Sequence, residues 1–239
     1  MAPQDLSWES IVVLIAFFVV LSIVSLKFKK FSAVSFRLLL LLVVFSGSQI
    51  VFSSVFHSPW DLFFALFLVF VFIAVRNVLT HNLSIAIGIA GVSSLLGISI
   101  FPETAIILLI LLSFYDILAV YWTKHMIYLA RGMMESGAVF GFVIPFDIKD
   151  IFYHSGEAKR KIGEKFMILG SGDISLPIVM ASSLAATSTS QALIVGLFSM
   201  LGLFLTHLIF INQAVRKPMA ALPPIATMTI IGYLVSQLL

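Results

Sequence analysis

The chain has 239 residues, of which 61% are hydrophobic and 10% charged, with 23 Phe and a mean hydropathy of +1.15. Soluble domains carry about a quarter charged residues, so this composition excludes a soluble globular protein and defines an integral membrane protein. The formal net charge of +3 comes from basic residues scattered through short loops, which excludes a phosphate-tracking nucleic-acid face, and the lack of Cys removes disulfides and thiolate metal ligands.

Apolar runs long enough to cross a ~30 Å hydrocarbon core as helix recur along the chain. In order they predict eight spans, at about Trp8 to Leu26, Leu38 to Ser54, Trp60 to Val75, Leu83 to Phe101, Thr104 to Trp122, Phe166 to Thr187, Ala192 to Ile211 and Met219 to Leu239. None alternates as a barrel strand would, and an open sheet would leave amides unpaired in lipid. The expected fold class is therefore all-α, one polytopic helical domain over residues 1–239. The first run follows "MAPQDLSWES", which is acidic where a signal peptide is basic and has no small-residue cleavage site after it, so it reads as a retained span. In the fourth run Ser84, Gly88 and Gly91 recur at helical spacing, which predicts close helix contact. One loop is long, from about Lys124 to Lys165. Within it "AVFGFVIPF" (Ala138 to Phe146) is too short to cross and is broken by Pro145, so it is expected to be interfacial or docked, with a re-entrant segment as the alternative.

The charges orient these spans. Lys27, Lys29, Lys30 and Arg37 follow the first, Arg76 the third, Lys124, Arg131, Lys149, Lys159, Arg160, Lys161 and Lys165 the fifth, and Arg216 and Lys217 the seventh, which accounts for all 14 basic residues. The alternate loops and both ends hold Asp5, Glu9, His57, Asp61 and Glu103. Cytoplasmic loops concentrate Lys and Arg, so the expectation is a multi-pass protein of the cell membrane with both termini outside and the basic loops cytoplasmic.

Two carboxylates fall inside spans: Asp116 in "LLSFYDILAVYW" and Asp173 in "LGSGDISLP". An aspartate at that depth costs at least about 2.5 kcal/mol on insertion scales, so it is a functional candidate by default. Each lies eight residues from the basic end of its span, Lys124 and Lys165, which by helical rise is about 12 Å from the same face. Carboxylates at equal depth can meet, and two that meet share a proton, because repulsion and desolvation both oppose double ionisation. One can then take a proton from water attacking a peptide carbonyl while the other polarises that carbonyl and helps protonate the leaving nitrogen. Gly170 and Gly172 remove side chains where a substrate backbone would approach Asp173, although membrane glycines also serve packing. The same pair of acids would suit a proton-coupled transporter or channel. Of the other polar residues, Tyr115 is expected to pack beside the pair, Gln49 and Gln191 to bond between helices, His207 to be structural, and Asp61 beside Trp60 to mark an interfacial end.

These residues resemble the motifs of the GxGD intramembrane aspartyl proteases, the presenilin and signal peptide peptidase group, and most closely their archaeal presenilin-like members. The family's "YD" is matched by Tyr115-Asp116, its GxGD by Gly170-Ser171-Gly172-Asp173, and its Pro-Ala-Leu by "AALPP", Ala220 to Pro224, with Ala220 where the family has proline. The resemblance implies that Asp116 and Asp173 are the catalytic pair, facing each other on adjacent helices. It also implies that Ala221, Leu222 and Pro223, with Gly170 and Gly172, shape the substrate-binding surface. It implies cleavage of transmembrane helices or remnant signal segments in lipid, with no metal or nucleotide cofactor and no nucleic-acid partner, and it gives no sign of accessory subunits. The family has nine spans; eight here, with the first absent, keep the presenilin orientation. Pro223 and Pro224 would interrupt hydrogen bonding at the start of the last span and leave groups for an extended substrate strand, unless they simply start a helix.

Overall fold

The computed structural model describes residues 29–123, 139–162, 164–213 and 218–238. The first expected span, and the loop from Lys124 to Ala138, lie outside them. The elements are α1 (Lys29–Ser53), α2 (Trp60–Ala74), α3 (Val78–Ile98), α4 (Pro102–Ile117) continued by a π-helical turn (Leu118–Trp122), β1 (Gly141–Pro145), a 3-10 turn (Ile148–Phe152), α5 (Ser155–Arg160), β2 (Phe166–Gly170), α6 (Ser171–Ala185), α7 (Thr189–Ile211) and α8 (Leu222–Ser236). Among the described residues, four segments are long and apolar enough to cross a membrane: Phe36–Ser53, Val78–Ile98, Pro102–Trp122 and Thr189–Ile211. Side chains such as Phe70, Leu111 and Phe204 point outward from the protein and form a lipid-facing surface.

Helix ends depart from the hydropathy limits for local reasons. Hydropathy starts the second span at Leu38, but α1 already runs from Lys29, because Lys and Arg are good helix formers and a fall in hydropathy does not end a helix. The fourth was placed from Leu83, whereas α3 begins at Val78 behind an N-cap, Asn77, whose side chain accepts a bond from the Thr80 amide at 2.7 Å and another from the Thr80 hydroxyl. The cap brings Thr80, His81 and Asn82 into the helix.

α1 packs on α2 and α3, and α3 packs on α6. The α1–α3 contact is as close as the glycine spacing predicts: a Cβ on Gly88 would stand 2.9 Å from the Val44 Cα. α7 lies along α8, where Gly202 and Gly232 allow near contact and the buried Ser199 and Thr229 hydroxyls share a hydrogen bond of 2.9 Å. Gln191 bonds across the same pair, from its Nε2 to the Ser236 carbonyl at 3.2 Å, as expected. The largest buried cluster, with Leu109, Val179, Met180, Val195, Leu222 and Ala226, joins α4, α6, α7 and α8.

Helices dominate, with one departure. Residues 166–170, expected as the start of the sixth span, are β2, and the segment expected to be interfacial or docked contains β1, which packs on α3. The strands pair antiparallel from Gly141 opposite Gly170 to Pro145 opposite Phe166. A short apolar run has no periodicity to separate buried strand from helix. The pairing answers part of the objection to open strands, since alternate residues of the two strands satisfy each other's amides and α3 takes up outward groups of β1.

Candidate active site

α4, α6 and α8 pack against one another, and each brings one motif to their meeting point. Asp116 is the second-last residue of α4, directly before the helix widens into the π-turn, and is 7% exposed. Its Oδ2 accepts a hydrogen bond from the Leu222 amide at 3.2 Å, and the Ala221 amide also acts on it. Those amides are orphan donors of the α8 N-terminus: Ala221 is the N-cap and Leu222 the first helical residue, and Pro223 and Pro224, next in the first turn, have no N–H to offer. Asp116 thus caps α8 from another helix. The prolines begin a regular helix, as Pro in a first turn does, and the Ala221 and Leu222 amides at that start are already engaged by Asp116.

Asp173 is positioned by a different local device. β2 ends at Gly170, which is the N-cap of α6, so Asp173 is the third helical residue, and its carboxylate reaches back to the Gly170 amide. An acid at this position commonly closes a helix start in that way. Pro177, four residues on, has no N–H to return to the Asp173 carbonyl. The charge of Asp116 is felt at the Asp173 carboxylate. The route differs from the one expected, because residues 166–170 are extended and rise about 3.3 Å each rather than 1.5 Å, so helical depth counting does not apply on that side. Helix packing, not matched spacing from two lysines, brings the pair together.

The glycines flanking Ser171 have different surroundings. A Cβ on Gly170 would stand 3.1 Å from Asp173 Oδ2, while a Cβ on Gly172 would meet nothing within 4 Å. Gly172 is exposed and borders open space, one helical step of about 100° round from Asp173. Ala221 is half-buried, Leu222 is buried in the core below, and Pro223 is half-buried at the rim. Tyr115 was expected beside the pair, but it is 52% exposed, since successive helical residues point about 100° apart and Asp116 holds the inward direction. A groove of about 230 Å³ opens between α4 and α8, lined by Ser113, Ile117, Thr227 and Ile230 among others.

Sequence reasoning missed His81 and Asn82 on α3. Asn82 pairs with both backbone groups of Val143, and His81 contacts the Gly141 carbonyl. The Asn77 cap was the available signal.

The fold and site define the class: a helical membrane protein that resembles solved intramembrane aspartate proteases. One presenilin family intramembrane aspartate protease, solved in the C222 space group, is 25% identical over 94% of this chain and 82% of its own, with a TM-score of 0.59. A presenilin family intramembrane aspartate protease solved in the P2 space group is 24% identical over 100% of this chain and 86% of its own, with a TM-score of 0.56, a likeness of fold. No curated protein matches the sequence. The model of the signal-peptide peptidase, presenilin aspartyl protease family matches residues 2–239, and the chain belongs to that family of intramembrane aspartyl proteases.

Proposed function

We propose that this chain is an endopeptidase of transmembrane helices or remnant signal segments, with Asp116 and Asp173 as its catalytic pair. The observation that carries this reading is the mutual packing of α4, α6 and α8, which sets the Asp116 charge where it acts on Asp173 at the start of α6. One ionised carboxylate takes a proton from water as the water oxygen bonds to the substrate carbonyl carbon. The protonated partner gives its proton to the carbonyl oxygen, which completes a tetrahedral diol and leaves that partner ionised. As the diol collapses and the C–N bond breaks, the first carboxyl passes its proton to the leaving nitrogen and the second takes one from a diol hydroxyl, which restores the pair.

A substrate helix hides its amides, so it must unwind locally before attack. β2 offers a place for the unwound segment. Phe146 donates to the Lys165 carbonyl at 2.9 Å, which puts the even-numbered residues of β1 in the ladder and turns Val143 and its partner Ile168 outward, to opposite edges. Among the described residues the outward amide groups of Ile168 have no hydrogen-bond partner, so an extended substrate can pair there, five residues ahead of Asp173. The groove between α4 and α8 suits the part of the substrate that stays helical. Purified in detergent, the protein should cut a single-span reporter, with the products read by mass spectrometry; an intact reporter together with proton-coupled flux in vesicles would favour the transporter instead.

We further place the chain as one domain in the cell membrane with the basic loops cytoplasmic and both termini outside, on the segregation of the basic residues. The lack of Cys makes this simple to test. An impermeant maleimide on intact cells should label Ser58→Cys, in the exposed α1–α2 loop, and should reach Lys149→Cys only after lysis; the reverse pattern would invert the topology.

A further inference from the structure

α3 holds the hairpin that leads into Asp173. Val143 N–H donates to Asn82 Oδ1 at 2.9 Å, and Asn82 Nδ2 donates to the Val143 carbonyl at 2.8 Å. A primary amide presents a donor and an acceptor side by side, so one side chain meets Val143 as a neighbouring strand residue would. One turn of side chains reinforces it. His81 Nε2 lies 3.1 Å from the Gly141 carbonyl, and because a carbonyl only accepts, this contact puts the proton on Nε2. Pro145, the next outward residue of β1, has no N–H to satisfy. The far end of the hairpin is tied to the same helix start, through Ser155 N to the Arg76 carbonyl at 2.8 Å and Val78 N to the Tyr153 carbonyl at 3.0 Å.

The two edges of the sheet are therefore unequal. Gly141, Val143 and Pro145 face α3 and are closed; on β2, Ile162 bridges the outward side of Phe166, and the edge is open from Ile168 on towards Gly170. We propose that Asn82 is a positioning residue of the protease: it stands in for a third strand on β1, closes that edge to substrate, and fixes the hairpin so that the open edge on β2 runs in one register into Gly170 and Asp173. This rests on the catalytic reading of the aspartates. A substrate strand that slips by one residue presents a different peptide bond to the carboxylates, so Asn82 bears on where the cut falls as well as on how fast.

The test compares Asn82→Ala and Asn82→Asp with the unaltered protein in detergent, on one single-span reporter, with KM, kcat, thermal unfolding and product masses all measured. Asn82→Asp keeps the acceptor for the Val143 amide and loses the donor to its carbonyl. Asn82→Ala should raise KM and lower kcat/KM by about tenfold, near the loss of one to two net hydrogen bonds. It should also spread the products over neighbouring bonds, with Asn82→Asp between the two. Hydrogen exchange at the Val143 amide should quicken in Asn82→Ala and less in Asn82→Asp. A purely structural Asn82 would lower only the folded fraction, leaving KM and the cut position of the folded molecules unchanged, and that result overturns the proposal. Asp116→Asn and Asp173→Asn, run alongside, separate the two levels. If they still cut, the catalytic reading fails; if they do not cut while Asn82→Ala keeps the KM and product pattern of the unaltered protein, only the Asn82 role fails.

Discussion

Asp116→Asn and Asp173→Asn should each lower reporter cleavage by at least about 10³-fold, the range expected when a general acid or base is lost. The double variant should be no slower than either single one, because residues that act as a unit fail together. The choice of Asn matters at Asp116. Its side-chain oxygen can still accept from the Leu222 amide, so the α8 cap survives while proton transfer does not. Asp116→Ala loses both. With the two prolines offering no amide, the Ala221 and Leu222 donors would be left without their acceptor, at a cost of about 1 kcal/mol for a lost cap. Its Tm should then fall by about 2–4 °C below that of Asp116→Asn, at equal inactivity. Residual cutting by either Asn variant near the unaltered rate would remove the acid pair from the mechanism. Equal Tm values for Asn and Ala at Asp116 would remove its capping role.

The helices were legible because lipid demands long apolar runs, and α2 and α7 lie close to where hydropathy alone puts them. The motif order was legible too, since two aspartates inside such runs are too costly to be incidental. What escaped was everything that depends on contacts distant in sequence. "FMILG" is as apolar as the helix it precedes, and only its pairing with residues 141–145 makes it a strand. The depth argument reached a pair of neighbouring carboxylates through a helical rise that the strand does not have. The role of the two prolines could not be read from their backbone limits alone, because it depends on Asp116, 106 residues before Leu222, taking the remaining amides. His81 and Asn82 lie just ahead of the expected start of the fourth span, at Leu83. Their place in α3 was written locally in the Asn77 cap, but their partners on β1 were not.

Gly170→Ala and Gly172→Ala should separate placement of the carboxylate from admission of the substrate. Gly170 has φ −61° and ψ 145°, a conformation open to alanine, so the backbone tolerates the change and the effect comes through the added methyl alone. That methyl would stand 3.1 Å from Asp173 Oδ2, which must move by a few tenths of an ångström and loosen its hold on the Gly170 amide. Small misplacements of a reacting group cost up to about 10²-fold, so kcat should fall by about 10- to 100-fold with KM little changed. At Gly172 the methyl meets nothing within 4 Å. The residue is helical, and alanine there should stabilise α6 by up to about 1 kcal/mol. If a substrate backbone occupies that space, the same methyl should raise KM several-fold while kcat holds, since it obstructs binding without touching the acids. Kinetics on one reporter decide the matter: the two glycines should fail in different constants. Loss of kcat alone at Gly172, or of KM alone at Gly170, would place the substrate on the other side of Asp173 from the space the structure leaves for it.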